Sequence, residues 1–169
     1  MPLLRRQVLV AQTTGQPIYV ALPATDHPRA DTIRDLAVDL LAVPDCTAGM
    51  SATMRGAIAQ MPPCAAFMVL LGDLVAITGD DLLKVIMARQ QNPDYLIWRG
   101  ATIDGKPGHP IIFDASLRQA FATLSGDQGG EPVVKAHVSA TFLVPLPDQR
   151  ARLDLDTPED WANWRKSAL

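Results

Sequence analysis

Phe67-Met68-Val69-Leu70-Leu71 is an uninterrupted apolar run that ends in Gly72-Asp73. A carboxylate just past a buried strand, after a glycine that lets the backbone turn beside a ligand, can hold magnesium, which binds oxygen and brings phosphates with it. The plainer alternative is that Asp73 only caps a turn. A second acidic stretch, Leu153-Asp154-Leu155-Asp156, runs into Thr157-Pro158-Glu159-Asp160. On extended backbone Asp154 and Asp156 share a face. Glu159 and Asp160 are accounted for by a helix N-terminus that favours negative charge. Asp156, at the strand-to-helix junction, is the better metal candidate. Two carboxylates from separate strand ends, Asp73 and Asp156, can converge on one cation.

Three further groups of residues bear on a phosphate or ring-containing ligand. Gly108-His109-Pro110 reads as an exposed turn whose histidine can meet a phosphate or a pterin, or simply face solvent. Arg55 lies four residues after Ser51, on the same side of a helix that follows Gly49. A helix N-terminus is a natural anion site, so Gly49, Ser51 and Arg55 form a candidate nucleotide contact, against the alternative of a surface arginine. Arg99 and Lys106 add positive charge beside the histidine. Gly126-Asp127-Gln128-Gly129-Gly130 has neither of the glycine spacings that cradle phosphates in P-loops and dinucleotide folds. His27 and His137 sit in no motif, and Trp98, Trp161 and Trp164 read as packing residues.

The elements that must position these residues alternate in type. Helices are predicted over 3–14, 28–36, 51–61, 79–91, 116–124 and near 132–136, with a last one opened by Thr157-Pro158. Ser51 is the predicted cap of the third, and Thr78-Gly79-Asp80-Asp81 forms a capping box, with Asp in place of Glu, before the fourth. Strands are predicted over 17–22, 39–43, 65–71, 94–98 and 141–146, with 110–113 returning as the second arm of a hairpin-like excursion. The strands are apolar throughout, as in a mainly parallel sheet covered by helices on both faces. No repeat or linker divides residues 1–169, so a single α/β domain is expected.

With 48% hydrophobic and 20% charged residues and a net charge of −3, the chain has the balance of an ordinary globular protein and no basic footprint for nucleic acid. Cys46 and Cys64 form no metal or redox pair. With no membrane-length apolar run and no signal-peptide core, the chain is expected to be cytoplasmic.

Taken in order, these motifs resemble the molybdenum cofactor cytidylyltransferases, part of a broader family of molybdopterin nucleotidyltransferases. The resemblance rests on Gly49-Met50-Ser51-Ala52-Thr53-Met54-Arg55-Gly56, Leu70-Leu71-Gly72-Asp73, Gly105-Lys106-Pro107-Gly108-His109-Pro110, Ser125-Gly126-Asp127 and Asp154-Leu155-Asp156-Thr157-Pro158-Glu159-Asp160. It covers nearly the whole chain, and Pro2-Leu3-Leu4-Arg5-Arg6 looks like the helix that follows the family's nucleotide loop. It implies a Rossmann-like three-layer α/β/α fold and transfer of CMP from CTP to the terminal phosphate of molybdopterin, releasing pyrophosphate. The family's metal-binding aspartate falls on Asp73 and its second metal-side residue on Asp156, with magnesium as the cofactor. Gly49, Ser51, Arg55 and Gly72 then stand on the nucleotide side, and Gly108, His109 and Pro110 on the molybdopterin side.

Two departures accompany the resemblance. The family's first strand and its Leu-Ala-Ala-Gly-x-Ser-x-Arg-Met-Gly loop are absent, and Leu74-Val75 stands where the family usually has Gln or Met followed by Pro. The loop supplies backbone N–H groups and positive charge for the triphosphate, so weak or no activity is expected of the chain as written, and an N-terminally truncated or misstarted form of a longer enzyme is the corresponding expectation. Loss of a central strand exposes sheet edges, which invite pairing with another chain. The alternatives are a non-catalytic homologue that binds a ligand, a molybdoenzyme or a maturation factor, and a related sugar-phosphate nucleotidyltransferase. Base selectivity between CTP and GTP resides largely in the absent part.

Overall fold

A computed structural model describes residues 1–153. Asp154, Asp156, the predicted last helix, Trp161 and Trp164 lie outside the described residues. The α-helices are α1 (Leu3–Gln12), α2 (Pro28–Asp31), α3 (Met50–Gln60), α4 (Gly79–Gln91) and α5 (Glu131–Ala136). The strands are β1 (Tyr19–Leu22), β2 (Asp39–Ala42), β3 (Ala66–Val69), β4 (Ile97–Ala101), β5 (Pro107–Asp114) and β6 (Thr141–Pro145). The architecture is a three-layer α/β sandwich. β4 pairs parallel to β6 and antiparallel to β5, and β3 pairs antiparallel to β5, giving the order β3-β5-β4-β6. Three of these four strands therefore run one way, and the sheet is mixed.

Successive strand residues feed opposite faces. Phe67, Ile97, Ile111 and Phe113 face α3, α5 and the 3-10 segment Ala115–Thr123, in a cluster with Ile58, Phe121 and Val134. Their neighbours Met68, Trp98 and Ile112 face the other way, with Leu82 and Val85 of α4 and Val10 and Ala11 of α1. Phe67, Phe113 and Phe121 meet with ring centroids 5.6, 5.4 and 4.9 Å apart, edge-on in two of the three pairs. This double burial is why the strands read as continuous apolar runs.

β1 and β2 form a separate parallel pair. Among the described residues β1 has no partner but β2, and β3 none but β5, so the layer is interrupted between β1 and β3. Two helices bridge the interruption from opposite faces. In α1, Leu4 and Val8 pack with Val20 and Leu22 of β1, while Val10 and Ala11 pack on the β3 side. In α3, Gln60 Nε2 donates to the Ala42 carbonyl at 2.9 Å beside β2, while Ile58 packs with Phe67 of β3.

The capping box forms as predicted: Thr78 Oγ1 accepts from the Asp81 N–H, and the Asp81 carboxylate accepts from the Thr78 N–H at 3.0 Å. Three local expectations are corrected. The helix predicted over 28–36 stops at Asp31, where the Thr32 hydroxyl donates to the Arg29 carbonyl and Arg5 Nη1 donates to the Thr32 carbonyl at 3.0 Å. The segment expected as helix over 116–124 is a 3-10 helix. Ser51 does not cap α3. Gly49 holds the cap position at φ +107°, and the Met50 N–H donates to Asp127 Oδ1 at 2.9 Å. No helix among the described residues is long and apolar enough to cross a membrane.

Candidate functional site

β3 ends at Val69, and the chain turns through Gly72-Asp73 before diving back into the core at Leu74 and Val75, which are 3% and 0% exposed. The buried Gln7 of α1 donates from Nε2 to the Leu74 carbonyl at 2.7 Å, tying the first helix to this turn. Leu74 and Val75 thus anchor the turn. Asp73 is exposed beyond the carboxyl end of β3, and a Cβ on Gly72 would meet nothing within 4 Å.

Beside this turn the β4–β5 hairpin breaks register. Arg99 pairs with Ile111 and Ala101 with Pro107, so Gly108, His109 and Pro110 lie opposite the single Gly100. Such a bulge bends the strand and re-aims its side chains. Gly108-His109-Pro110 is therefore part of β5 and not the exposed turn predicted from sequence. Gly108 and His109 line a cleft of about 560 Å³ together with Asp73, Leu74, Arg99, Glu131, Ala151 and Arg152. Pro110 is fully buried and does not line it. A Cβ on Gly108 would lie 2.1 Å from the Ala151 carbonyl oxygen, so glycine is what lets the 150–152 segment close that wall.

The half-buried His109 ring is pushed down to about 4, mainly by burial and next by the positive Arg99, against the opposing pull of Asp73, Val69 and Glu131. It is neutral at neutral pH. Because its ordinary value is 6.5, the unfolded chain takes up this proton between those two values while the folded chain does not. Stability is therefore lost as pH falls from about 6.5 towards 4. Urea unfolding at pH 7 and pH 5 is expected to show that loss in the wild type and a smaller one in His109→Phe; equal losses would remove His109 as its source.

Arg99 is the cleft's most enclosed cation, with its side chain 14% exposed. Its Nε donates to the Gly108 carbonyl at 2.9 Å, and its Nη1 lies 3.4 Å from Glu131 Oε2. Sequence reading noted Arg99 only as a basic residue near the histidine, and passed over Glu131 and Arg152.

The nucleotide-side candidates are not all brought to this cleft. Gly72 adjoins Asp73. Gly49 and Ser51 are held by the 126–130 loop: Asp127 occupies the start of α3, and the fully buried Ser51 hydroxyl reaches the Gly129 carbonyl at 3.4 Å. Arg55 Nη1 donates to the Leu124 carbonyl and lines a different cavity, of about 510 Å³, shared with Arg118 and Phe121. The anion expected at the α3 N-terminus is thus, in this structure, the chain's own Asp127.

An exposed carboxylate beside open space suits a hard divalent cation, and Asp73 meets that requirement. Among the described residues no three His, Cys, Asp or Glu side chains cluster as a complete metal site, and the second candidate, Asp156, lies outside them.

No curated protein matches the chain in sequence. Among solved structures, Rv0371c from Mycobacterium tuberculosis H37Rv, in complex with manganese, superposes with a TM-score of 0.79 at 23% identity, over 99% of this chain and 87% of that one. CMP:2-keto-3-deoxy-manno-octonic acid synthetase complexed with CTP superposes with a TM-score of 0.74 at 10% identity, over 99% and 87%. The 4-diphosphocytidyl-2C-methyl-D-erythritol synthase of Anaerococcus prevotii gives 0.69 at 12% identity, over 99% and 86%. At these identities the likeness is one of fold. The sequence itself matches the MobA-like NTP transferase domain over residues 1–141. The chain therefore belongs to the MobA-like NTP transferase family, whose chemistry is nucleotidyl transfer.

Proposed function

We propose that the cleft at the end of β3 is the site of a cytidylyltransferase reaction in which CMP passes from CTP to the terminal phosphate of molybdopterin, with release of pyrophosphate. The observation that carries this reading is the convergence of Asp73 with the Gly108–His109 bulge on one cleft. Asp73, joined by Asp156, would hold magnesium. When bound, magnesium neutralises charge on the α-phosphate. The neutral His109 lies where it can orient the acceptor without adding charge. Arg99 and Arg152 supply positive charge to the same walls. Lining the acceptor phosphate up opposite the leaving pyrophosphate requires no covalent enzyme intermediate.

A second reading is favoured by the α3 N-terminus, where Asp127 already holds the Met50 N–H. With that anion site filled and the layer interrupted beside β3, the triphosphate has little cradle, as in a homologue that binds a ligand, a molybdoenzyme or a maturation factor without catalysis. Calorimetric titration with CTP and then GTP, each with magnesium, tests the pair. Saturable, magnesium-dependent binding of CTP is the expected result. No binding of either nucleotide, by this chain or by one carrying the family's glycine-rich loop ahead of Leu3, would favour the non-catalytic reading.

A further inference from the structure

The Arg99–Glu131 pair is unlike an ordinary structural salt bridge. A buried guanidinium must be paired, because leaving its charge without partners in a low-dielectric setting is costly. Arg99 is nearly enclosed, yet its carboxylate partner stands off at 3.4 Å, against the roughly 2.7–2.9 Å of a well-formed charged hydrogen bond. Glu131 is itself 40% exposed at the start of the short helix α5, so water competes for it. Arg99 is anchored from the other side by its Nε bond to the Gly108 carbonyl, at the bulge that aims His109. A guanidinium carries five N–H donors in a planar fork that matches phosphate oxygens two at a time. The cleft it lines also contains Asp73 and a second guanidinium, Arg152.

We infer that Arg99 is the phosphate-binding residue of this cleft and that Glu131 is a resident stand-in, displaced when a phosphate arrives. The inference rests on the reading of the cleft as a nucleotidyl-transfer site, and deepens it by naming the group that takes the anion. The ligand chemistry is a phosphate dianion, supplied either by a phosphomonoester acceptor or by the nucleoside triphosphate. One consequence runs against the usual effect of deleting a charged partner: removing the Glu131 charge strengthens ligand binding.

The test titrates the full chain with phenyl phosphate, and separately with CTP plus magnesium, in the wild type, Glu131→Gln, Arg99→Gln, Arg99→Lys and Asp73→Asn. Glu131→Gln is expected to bind the relevant phosphate about fivefold more tightly. Arg99→Gln is expected to bind it at least about thirtyfold more weakly, with Arg99→Lys between. A response confined to phenyl phosphate assigns the subsite to the acceptor, and one confined to CTP assigns it to the triphosphate. If neither ligand binds Glu131→Gln more tightly, the inference is overturned, and this holds even if Arg99→Gln fails to fold. CTP binding that needs magnesium and Asp73 but ignores Arg99 and Glu131 would overturn the inference and leave the nucleotidyltransferase reading standing. Phenyl phosphate binding that follows Arg99 and Glu131 in a chain that stays blind to CTP even with the family's glycine-rich loop ahead of Leu3 would do the reverse.

Discussion

Asp73→Ala is expected to abolish magnesium-dependent turnover while leaving the protein folded. In a chain carrying the family's glycine-rich loop ahead of Leu3, kcat/KM for CTP should fall by at least about a thousandfold, since metal stabilisation of transferring charge amounts to several kcal/mol and each 1.36 kcal/mol is tenfold in rate. In the chain as it stands, the same substitution should remove the magnesium dependence of CTP binding. Stability should move by no more than about 0.5 kcal/mol, because Asp73 is exposed and its turn is held by Leu74, Val75 and the Gln7 hydrogen bond. That combination separates a metal ligand from a turn cap, whose loss would cost stability and spare turnover. Steady-state assays with thermal unfolding of the same samples decide it, and near-normal turnover in Asp73→Ala would rule out the metal role.

Gly108→Ala is expected to have the opposite profile, with a large loss of stability that carries the site with it. The added Cβ would meet the Ala151 carbonyl oxygen at 2.1 Å and its carbon at 2.6 Å. These are backbone atoms, so relief requires the 150–152 segment to move, and Arg152 of the cleft moves with it. Overpacking of this kind costs roughly 2–3 kcal/mol, a drop of about 5–10 °C in Tm for a domain of this size. Gly72→Ala is the control: nothing lies within 4 Å of its Cβ, and Tm should barely change. Equal melting temperatures for Gly108→Ala and the wild type would show that the cleft wall is not closed by this contact.

What could be read from the sequence was local. The capping box at Thr78 and Asp81 is written in four residues, and the apolar runs of β3 and β5 declare strands buried on both faces. Asp73 was legible because its position follows from a strand end and a glycine alone. The histidine was misplaced for an identifiable reason. Proline lacks an N–H and is rare in central strands, so Gly108-His109-Pro110 reads as a turn. The bulge opposite Gly100 lets the strand tolerate it, and a bulge depends on the partner's register, which sequence spacing does not reveal. The same holds for contacts between distant residues. Asp127 reaches the start of α3 from 77 residues away, and Arg99 meets Glu131 across the cleft wall, so neither pairing leaves a local pattern.

In the proposed site, metal and nucleotide meet beside Asp73 and His109. The chain has three histidines, His27, His109 and His137, so their ring protons make a small and assignable NMR set. His27 caps α2 and His137 is hydrogen-bonded to Val133 after α5, while His109 lines the cleft. Titrating the protein with CTP and trace manganese tests this meeting through paramagnetic broadening. The His109 resonance is expected to broaden first and most, and Asp73→Asn is expected to abolish the effect. Broadening that favours His27, or that persists undiminished in Asp73→Asn, would place the metal nucleotide elsewhere and contradict it.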